Sequence, residues 1–314
     1  MASPVRSVAA IDCGTNSIKV LVADVHDDGR LDVVVRDSRV VRLGQGVDAT
    51  KMLADDALER TFAAIDEFAL VIREHGVPPE RLRFCATSAT RDAHNAAVFA
   101  DGVRRRLGVE PEVLSGDEEA ALVFAGAMAA QDPMPAEPVL VVDIGGGSTE
   151  LVLGEAGERR AVSMDIGSVR LHERHLHCDP PTDAEVAACV ADIDAHLDAH
   201  TAASGIELHR TASVIGTSGT VKTIACGVLD LASYDRKAFD GAVLSNAATA
   251  TFVDGLVAMT LAERRALPYM HPGRADVIDA GALIWSRILS RVPVPDHLVS
   301  EADILHGMAA TIGR

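Results

Sequence analysis

Two kinds of apolar run alternate along the chain. Short stretches rich in Val, Ile and Ala read as strands, and longer ones with apolar residues every three or four positions read as amphipathic helices. Residues 8–22, VAAIDCGTNSIKVLV, are two strand-like runs joined by a short polar turn. LDVVVRDSRVV (31–41) adds a third strand, with Val33, Val35, Val40 and Val41 as β-branched bulk. Leu58, Phe62, Ile65, Ala69 and Ile72 then recur at helical spacing, and Gly76 with Pro78 and Pro79 closes that helix. RLRFCAT (81–87) is a short strand, and residues 92–107 are expected to form one helix. Ser115 stands three residues before Glu118, a capping-box spacing, so residues 109–130 read as a strand entering a helix.

After a proline-rich connector, QDPMPAEP (131–138), the pattern restarts. VLVVDIGGGSTELVL (139–153) is a second hairpin, followed by a strand near 158–165 and a helix over about 168–177. Thr182 and Glu185 open a helix whose Val186, Val190, Ile193 and Leu197 share one face. TASVIG (211–216) is a strand running into a glycine-rich turn and a helix. Helices, including 275–289 and a short one after Ser300, are expected to fill the remainder. Asp143, Gly145 and Ser148 stand in register with Asp12, Gly14 and Ser17. One pattern occurring twice, too far apart for a solenoid, calls for a single explanation of both copies.

Composition narrows the class. Of 314 residues, 48% are hydrophobic but only 3% aromatic, so the core is aliphatic and suits alternating strands and helices. A formal net charge of −17 opposes non-specific binding to nucleic acid or anionic membrane. An anionic ligand would need a local site. The five cysteines are scattered without a C-x-x-C pair, which fits a reducing compartment and argues against zinc or disulfides. No run of eighteen apolar residues exists, and the N-terminus lacks a basic segment leading into an apolar one. No signal peptide is expected, and a soluble, cytoplasmic protein is.

The glycines carry the chemistry. Glycine between two strands permits a positive φ and lets another group approach the backbone. Successive N–H groups in such a turn make an anion-binding concavity, to which Ser148 and Thr149 add hydroxyls. Asp143 ends a strand, and Glu150, seven residues on, returns beside it in a hairpin. Such hard oxygen ligands suit Mg²⁺ held partly through water. GTSGT (216–220) is a third turn of this kind, strand to helix N-terminus, without the spacing of a P-loop.

In these residues the chain resembles the exopolyphosphatase and guanosine pentaphosphate phosphohydrolase family of the actin, sugar-kinase and heat-shock ATPase superfamily. The motifs are AAIDCGTNSIKVLVADV, CATSATRDAHN, SGDEEA, VVDIGGGSTELVLG, VIGTSGTVKTIA and HPGRADVIDAGA, in family order over nearly the whole chain. The resemblance implies an α/β fold of two actin-like, ribonuclease H-like domains with a cleft between them. These would be residues 1–125, joined by a C-terminal helix at about 300–314, and residues 126–299. It implies a Mg²⁺-dependent (or other divalent-dependent) hydrolase in which a glutamate activates water against the terminal phosphate of inorganic polyphosphate, releasing orthophosphate. That glutamate maps to Glu119, and Glu118, the capping-box partner, leaves it free to project elsewhere. Asp143, Glu150 and Asp12 map to the metal region. Gly14, Thr15, Asn16 and Ser17, Gly145, Gly146, Gly147 and Ser148, and Gly216, Ser218 and Gly219 map to phosphate loops. Lys19, Arg91 and Arg274 map to basic residues lining the cleft, and a homodimer is the family expectation.

Two departures qualify the resemblance. The long family members carry C-terminal helical domains with histidine–aspartate motifs, whereas the one His-Asp dipeptide here is His26-Asp27. Short polyphosphate chains are the implied substrate. The second hairpin also has Glu150 where the first has Lys19, so one brings metal-binding charge and the other counter-charge. Guanosine pentaphosphate is an alternative substrate, linking the protein to the stringent response. A sugar-type kinase and a non-catalytic sensor of guanosine tetraphosphate are alternatives of other classes. His172, His175, His177 and Cys178 lack the second ligand pair of a zinc site, and Arg104 to Arg106 read as a solvated helix end.

Overall fold

A computed structural model describes residues 6–313. Met1–Val5, which the absence of a signal peptide concerns, and Arg314 lie outside the described residues. The chain divides into two compact units, Met1–Gly126 with Asp303–Arg314, and Ala127–Ala302.

The N-terminal unit is built on one five-stranded sheet of β1 (Arg6–Cys13), β2 (Ser17–Val25), β3 (Leu31–Val40), β4 (Leu82–Ala86) and β5 (Glu112–Val113). Their order is β3-β2-β1-β4-β5, with β1, β2 and β3 antiparallel and β4 and β5 parallel to β1. The predicted helix runs Asp55–Glu74 and buries Leu58, Ile65, Ala69 and Ile72 together with Phe68. Val35 and Phe62 pack on the edge of the same aliphatic core.

The second unit has β6 (Val139–Ile144), β7 (Thr149–Glu155), β8 (Glu158–Met164), β9 (Ser213–Gly216), β10 (Val243–Ser245) and β11 (Asp296–Val299). The order is β10-β11-β9-β6-β7-β8. Read from β8, the strands β8-β7-β6-β9-β11 repeat the arrangement β3-β2-β1-β4-β5, including the parallel partners, and β10 is added at the edge. The duplication is thus of whole sheets, not only of the two hairpins. The core around Trp285 is separate from that of the first unit.

Both predicted capping boxes form. Ser115 exchanges bonds with Glu118, and Thr182 with Glu185, whose carboxyl is drawn down to about 2 by the backbone N–H groups of Thr182 and His177. Three expectations need correction. The helix expected over 92–107 begins only at Ala96, after a separate short helix Ser88–Asp92, and at the junction the Asn95 side chain bonds both ways with the Leu53 backbone. The helix of 275–289 begins only at Ile278, after a turn closed by the Arg274 carbonyl. The C-terminal part also holds two strands: β10 and β11 are three and four residues long, too short to show a period.

Candidate active site

Each hairpin ends in the same closure. The Gly14 N–H donates to the Ser17 carbonyl at 3.0 Å, and the Gly145 N–H to the Ser148 carbonyl at 2.9 Å. Those two N–H groups are therefore spent inside their turns. Neither Gly14 nor Gly145 uses the positive φ that glycine permits. Room is the constraint instead: a β-carbon on Gly145 would stand 3.0 Å from the Ser148 carbonyl oxygen.

The carbonyls decide where the remaining N–H groups point. In a trans peptide the carbonyl of one residue and the N–H of the next face opposite ways. The Gly145 carbonyl accepts from the Ser168 N–H at 2.9 Å, and that of Gly146 from Val169 and Arg170 at 2.9 and 3.1 Å. The Gly147 carbonyl accepts from Arg170 Nε at 2.8 Å. All three are drawn toward the first turn of the helix Ser168–His175. The N–H groups of Gly146, Gly147 and Ser148 consequently face the other side, an anion nest made by main chain alone. In the N-terminal unit the Thr15 carbonyl accepts from Gly44, and that of Asn16 from Val41 and Arg42, which turns the N–H groups of Asn16 and Ser17 away from them. Thr15 Oγ1 and Asn16 Oδ1 are buried there without a hydrogen-bond partner.

Cross-strand register pairs the charges. Asp12 lies opposite Lys19, and Asp143 opposite Glu150. Lys19 Nζ reaches Asp12 at 3.1 Å and Asp303 at 3.7 Å, and Asp303 also accepts from Arg36 at 2.6 Å. Burial pushes the Asp12 carboxyl above the usual carboxylate range, with Lys19 opposing. An internal ammonium thus stands beside Asp12, which is ion-paired within its own hairpin. Asp143 and Glu150 are both buried and share one face of the sheet, and Glu150 accepts from Ser163 Oγ at 2.7 Å. Directly opposed like charges are unfavourable without a cation between them. The chemistry of this pair fits a hard divalent cation. It does not make an all-protein cage, since no group of three metal-ligating side chains gathers among the described residues.

Parallel pairing brings further predicted residues to these turns. In the second unit Val142 lies beside Gly216, and the Thr217 N–H donates to the Val142 carbonyl at 3.0 Å. The third glycine turn therefore neighbours the triple-glycine turn at the carboxyl ends of β6 and β9, where open α/β sheets bind ligands. Ser218 caps the helix Gly219–Val228. The Arg274 guanidinium lies so close over Gly219 that a β-carbon there would stand 2.5 Å from its Nη2, and its Nη1 donates to Thr223 at 2.8 Å. A guanidinium at the positive end of a helix dipole is electrostatically uphill until an anion joins it.

In the first unit the Thr87 N–H bonds the Cys13 carbonyl, placing the helix Ser88–Asp92 beside the Gly14 turn. Arg91 reaches from it to the Leu114 carbonyl at 2.8 Å and to Glu119 Oε2 at 3.3 Å. Glu118 turns back onto Ser115, whose N–H and hydroxyl hold its carboxyl below the usual range, while Glu119 is buried. The two adjacent glutamates thus face different surroundings.

Some residues at the site were missed by sequence reading. Gly167, Ser168 and Arg170 back the triple-glycine turn, and the Asp-Ile-Gly-Ser of 165–168, an echo of the turn itself, was the available signal. Asp303 had none. The histidine cluster is structural: His172 meets Asp279 at 3.2 Å and His175 meets Asp192 at 2.8 Å.

Residues 21–310 match the Ppx/GppA phosphatase family. The chain is 42% identical to Exopolyphosphatase 2 of Mycobacterium tuberculosis, over 97% of its own length and 98% of that protein's. It is 37% identical to the guanosine-5'-triphosphate,3'-diphosphate pyrophosphatase of Vibrio atlanticus, over 54% of this chain and 33% of that one. Among solved structures, an exopolyphosphatase-like protein superposes with a TM-score of 0.92 at 45% identity, covering 98% of this chain and 97% of that one. A Ppx/GppA family member from Aquifex aeolicus gives 0.80 at 29% identity, with 98% and 97% covered.

Proposed function

Because the chain belongs to the Ppx/GppA phosphatase family, we propose that it is a phosphoric anhydride hydrolase removing orthophosphate from the ends of inorganic polyphosphate, chiefly short chains. The observation that carries the reading is the backed glycine turn, with three successive N–H groups facing one way beside the opposed Asp143 and Glu150. Phosphoryl transfer needs positioning and charge neutralisation more than covalent chemistry. In this reading the N–H groups of Gly146, Gly147 and Ser148 and the Arg274 guanidinium hold non-bridging phosphate oxygens. Asn16, Ser17 and the unpartnered Thr15 hydroxyl do the same for the N-terminal turn. Glu119, its carboxylate oriented by Arg91, takes the proton of the attacking water. A divalent cation, Mg²⁺ by the chemistry of its oxygen ligands, would be held by Asp143 and Glu150 and would supply charge neutralisation at the leaving oxygens.

Polyphosphate is preferred over guanosine pentaphosphate because the likeness to the exopolyphosphatase spans nearly both chains, whereas that to the pyrophosphatase spans about half of this one. We further place the protein in the cytoplasm as a homodimer, with neither nucleic acid nor membrane as partner. The net charge of −17 supports the last point, and no helix among the described residues is long and apolar enough to cross a membrane. The test is phosphate release from short and long polyphosphates and from guanosine pentaphosphate, with and without Mg²⁺, beside an ATP-and-sugar control. Mg²⁺-dependent release, fastest from short polyphosphate, is expected. Turnover of guanosine pentaphosphate alone, or phosphate transfer to a sugar, would replace the reading.

A further inference from the structure

The three carbonyls behind the triple-glycine turn are not held alike. Those of Gly145 and Gly146 accept from the main-chain N–H groups of Ser168, Val169 and Arg170, which no substitution other than proline removes. The Gly147 carbonyl accepts at 2.8 Å from Arg170 Nε, a side chain. The N-terminal turn has no such dependence, since its Thr15 and Asn16 carbonyls are both held by main chain from Val41, Arg42 and Gly44.

We propose that Arg170 is a positioning residue that, from behind the turn, fixes the peptide between Gly147 and Ser148 so that its N–H faces the phosphate. The proposal rests on the hydrolase reading above and assigns the residue that sets one of the three peptides of the triple-glycine turn. Gly147 has no β-carbon to resist rotation of that peptide. A rotated peptide would aim its carbonyl oxygen at the phosphate and replace an attraction with a repulsion. The guanidinium opposes this as a charged donor, the stronger class of hydrogen bond. Arg170 is nearly buried at 8% side-chain exposure, and its outer end lies 4.0 Å from the exposed Asp165. A buried guanidinium whose Nε meets a peptide carbonyl at 2.8 Å, on a helix whose first turn already binds the two preceding carbonyls, is placed to control an orientation.

The test uses the full chain, inorganic tripolyphosphate as the probe, and amide ¹⁵N–¹H shifts together with steady-state phosphate release. In the wild type the Gly146, Gly147 and Ser148 amides are expected to move as tripolyphosphate is added, and those of Asn16 and Ser17 with them. In Arg170→Met the Ser148 response should be lost and KM should rise tenfold or more. The Asn16 and Ser17 amides should still titrate, and kcat should change less than KM. A purely structural role would lower thermal stability without singling out Ser148. Arg170→Gln, too short to reach the carbonyl, serves if the Met variant does not fold. Wild-type affinity with a moving Ser148 amide in either folded variant would overturn the proposal, as would a wild-type Ser148 amide that ignores tripolyphosphate. If the wild type shows these shifts and Arg170→Met loses the Ser148 one, while the wild type releases no phosphate, the hydrolase reading fails and the positioning role of Arg170 stands.

Discussion

Gly167 offers a sharp perturbation because its backbone does not need glycine. Its φ of −152° and ψ of 166° are extended values that alanine adopts freely. Space is what forbids a side chain. A β-carbon there would lie 2.5 Å from the carbonyl carbon and oxygen of Gly146 and 2.6 Å from the Gly147 nitrogen. Non-bonded carbons rest at about 3.5–4.0 Å, so Gly167→Ala must drive the turn back by roughly 1 Å. The atoms that must give are main chain, and Ser168, next along, holds the Gly145 carbonyl at 2.9 Å. Overpacking of this kind costs about 1–3 kcal/mol. A misplacement of about 1 Å at a reacting centre costs on the order of 10²-fold in rate. Urea unfolding and phosphate release from short polyphosphate measure the two effects. Gly255→Ala is the matched control: it lies within the helix Asn246–Ala258 with nothing within 4 Å of the added carbon. That variant should gain about 0.4–1 kcal/mol and keep full activity. If Gly167→Ala matches the wild type in both stability and turnover, the turn is not held as described.

Glu119→Gln should lower turnover by roughly 10²–10⁴-fold with KM little changed; an active variant would remove Glu119 as the base. Chelating divalent cations should stop turnover and added Mg²⁺ restore it, with Glu150→Gln needing a higher Mg²⁺ concentration; unchanged metal dependence in that variant would discard the carboxylate pair as a cation site. Burial pushes the His297 imidazole down to about 4, from an ordinary histidine value of about 6.5, with Nδ1 against Asn246 Oδ1 at 2.8 Å. Because the unfolded chain then binds the proton more tightly than the folded one, stability is complete above about pH 6.5 and is lost as pH falls toward 4. Between pH 7.5 and 5.5 this amounts to roughly 1.3 kcal/mol. Urea midpoints should show that loss in the wild type and not in His297→Gln, and an equal loss in both would assign it to other groups.

Much of this arrangement is legible in the chain itself. A β-hairpin is local, so its strands, its turn and the opposition of residues seven apart follow from one stretch of sequence. Asp12 facing Lys19 and Asp143 facing Glu150 could be read that way. The split between Glu118 and Glu119 was equally local, because a capping box spans four residues. The repeated Asp, Gly and Ser pointed to a duplication, though not to its extent, since β11 is four residues long and finds its place only against β9.

What the chain alone could not decide is direction. The glycines mark a turn open to an anion, but which way its N–H groups face depends on acceptor bonds from Ser168, Val169 and Arg170, some twenty residues on. Lys19 looked like counter-charge for a ligand, yet Asp303, from the far end of the chain, stands 3.7 Å away and Asp12 holds it more closely. Local spacing determined which residues could meet a phosphate. The tertiary fold decided which of their donors are spent inside the protein and which remain for a ligand, because a hydrogen bond or ion pair is settled by whatever the distant chain brings within 3 or 4 Å.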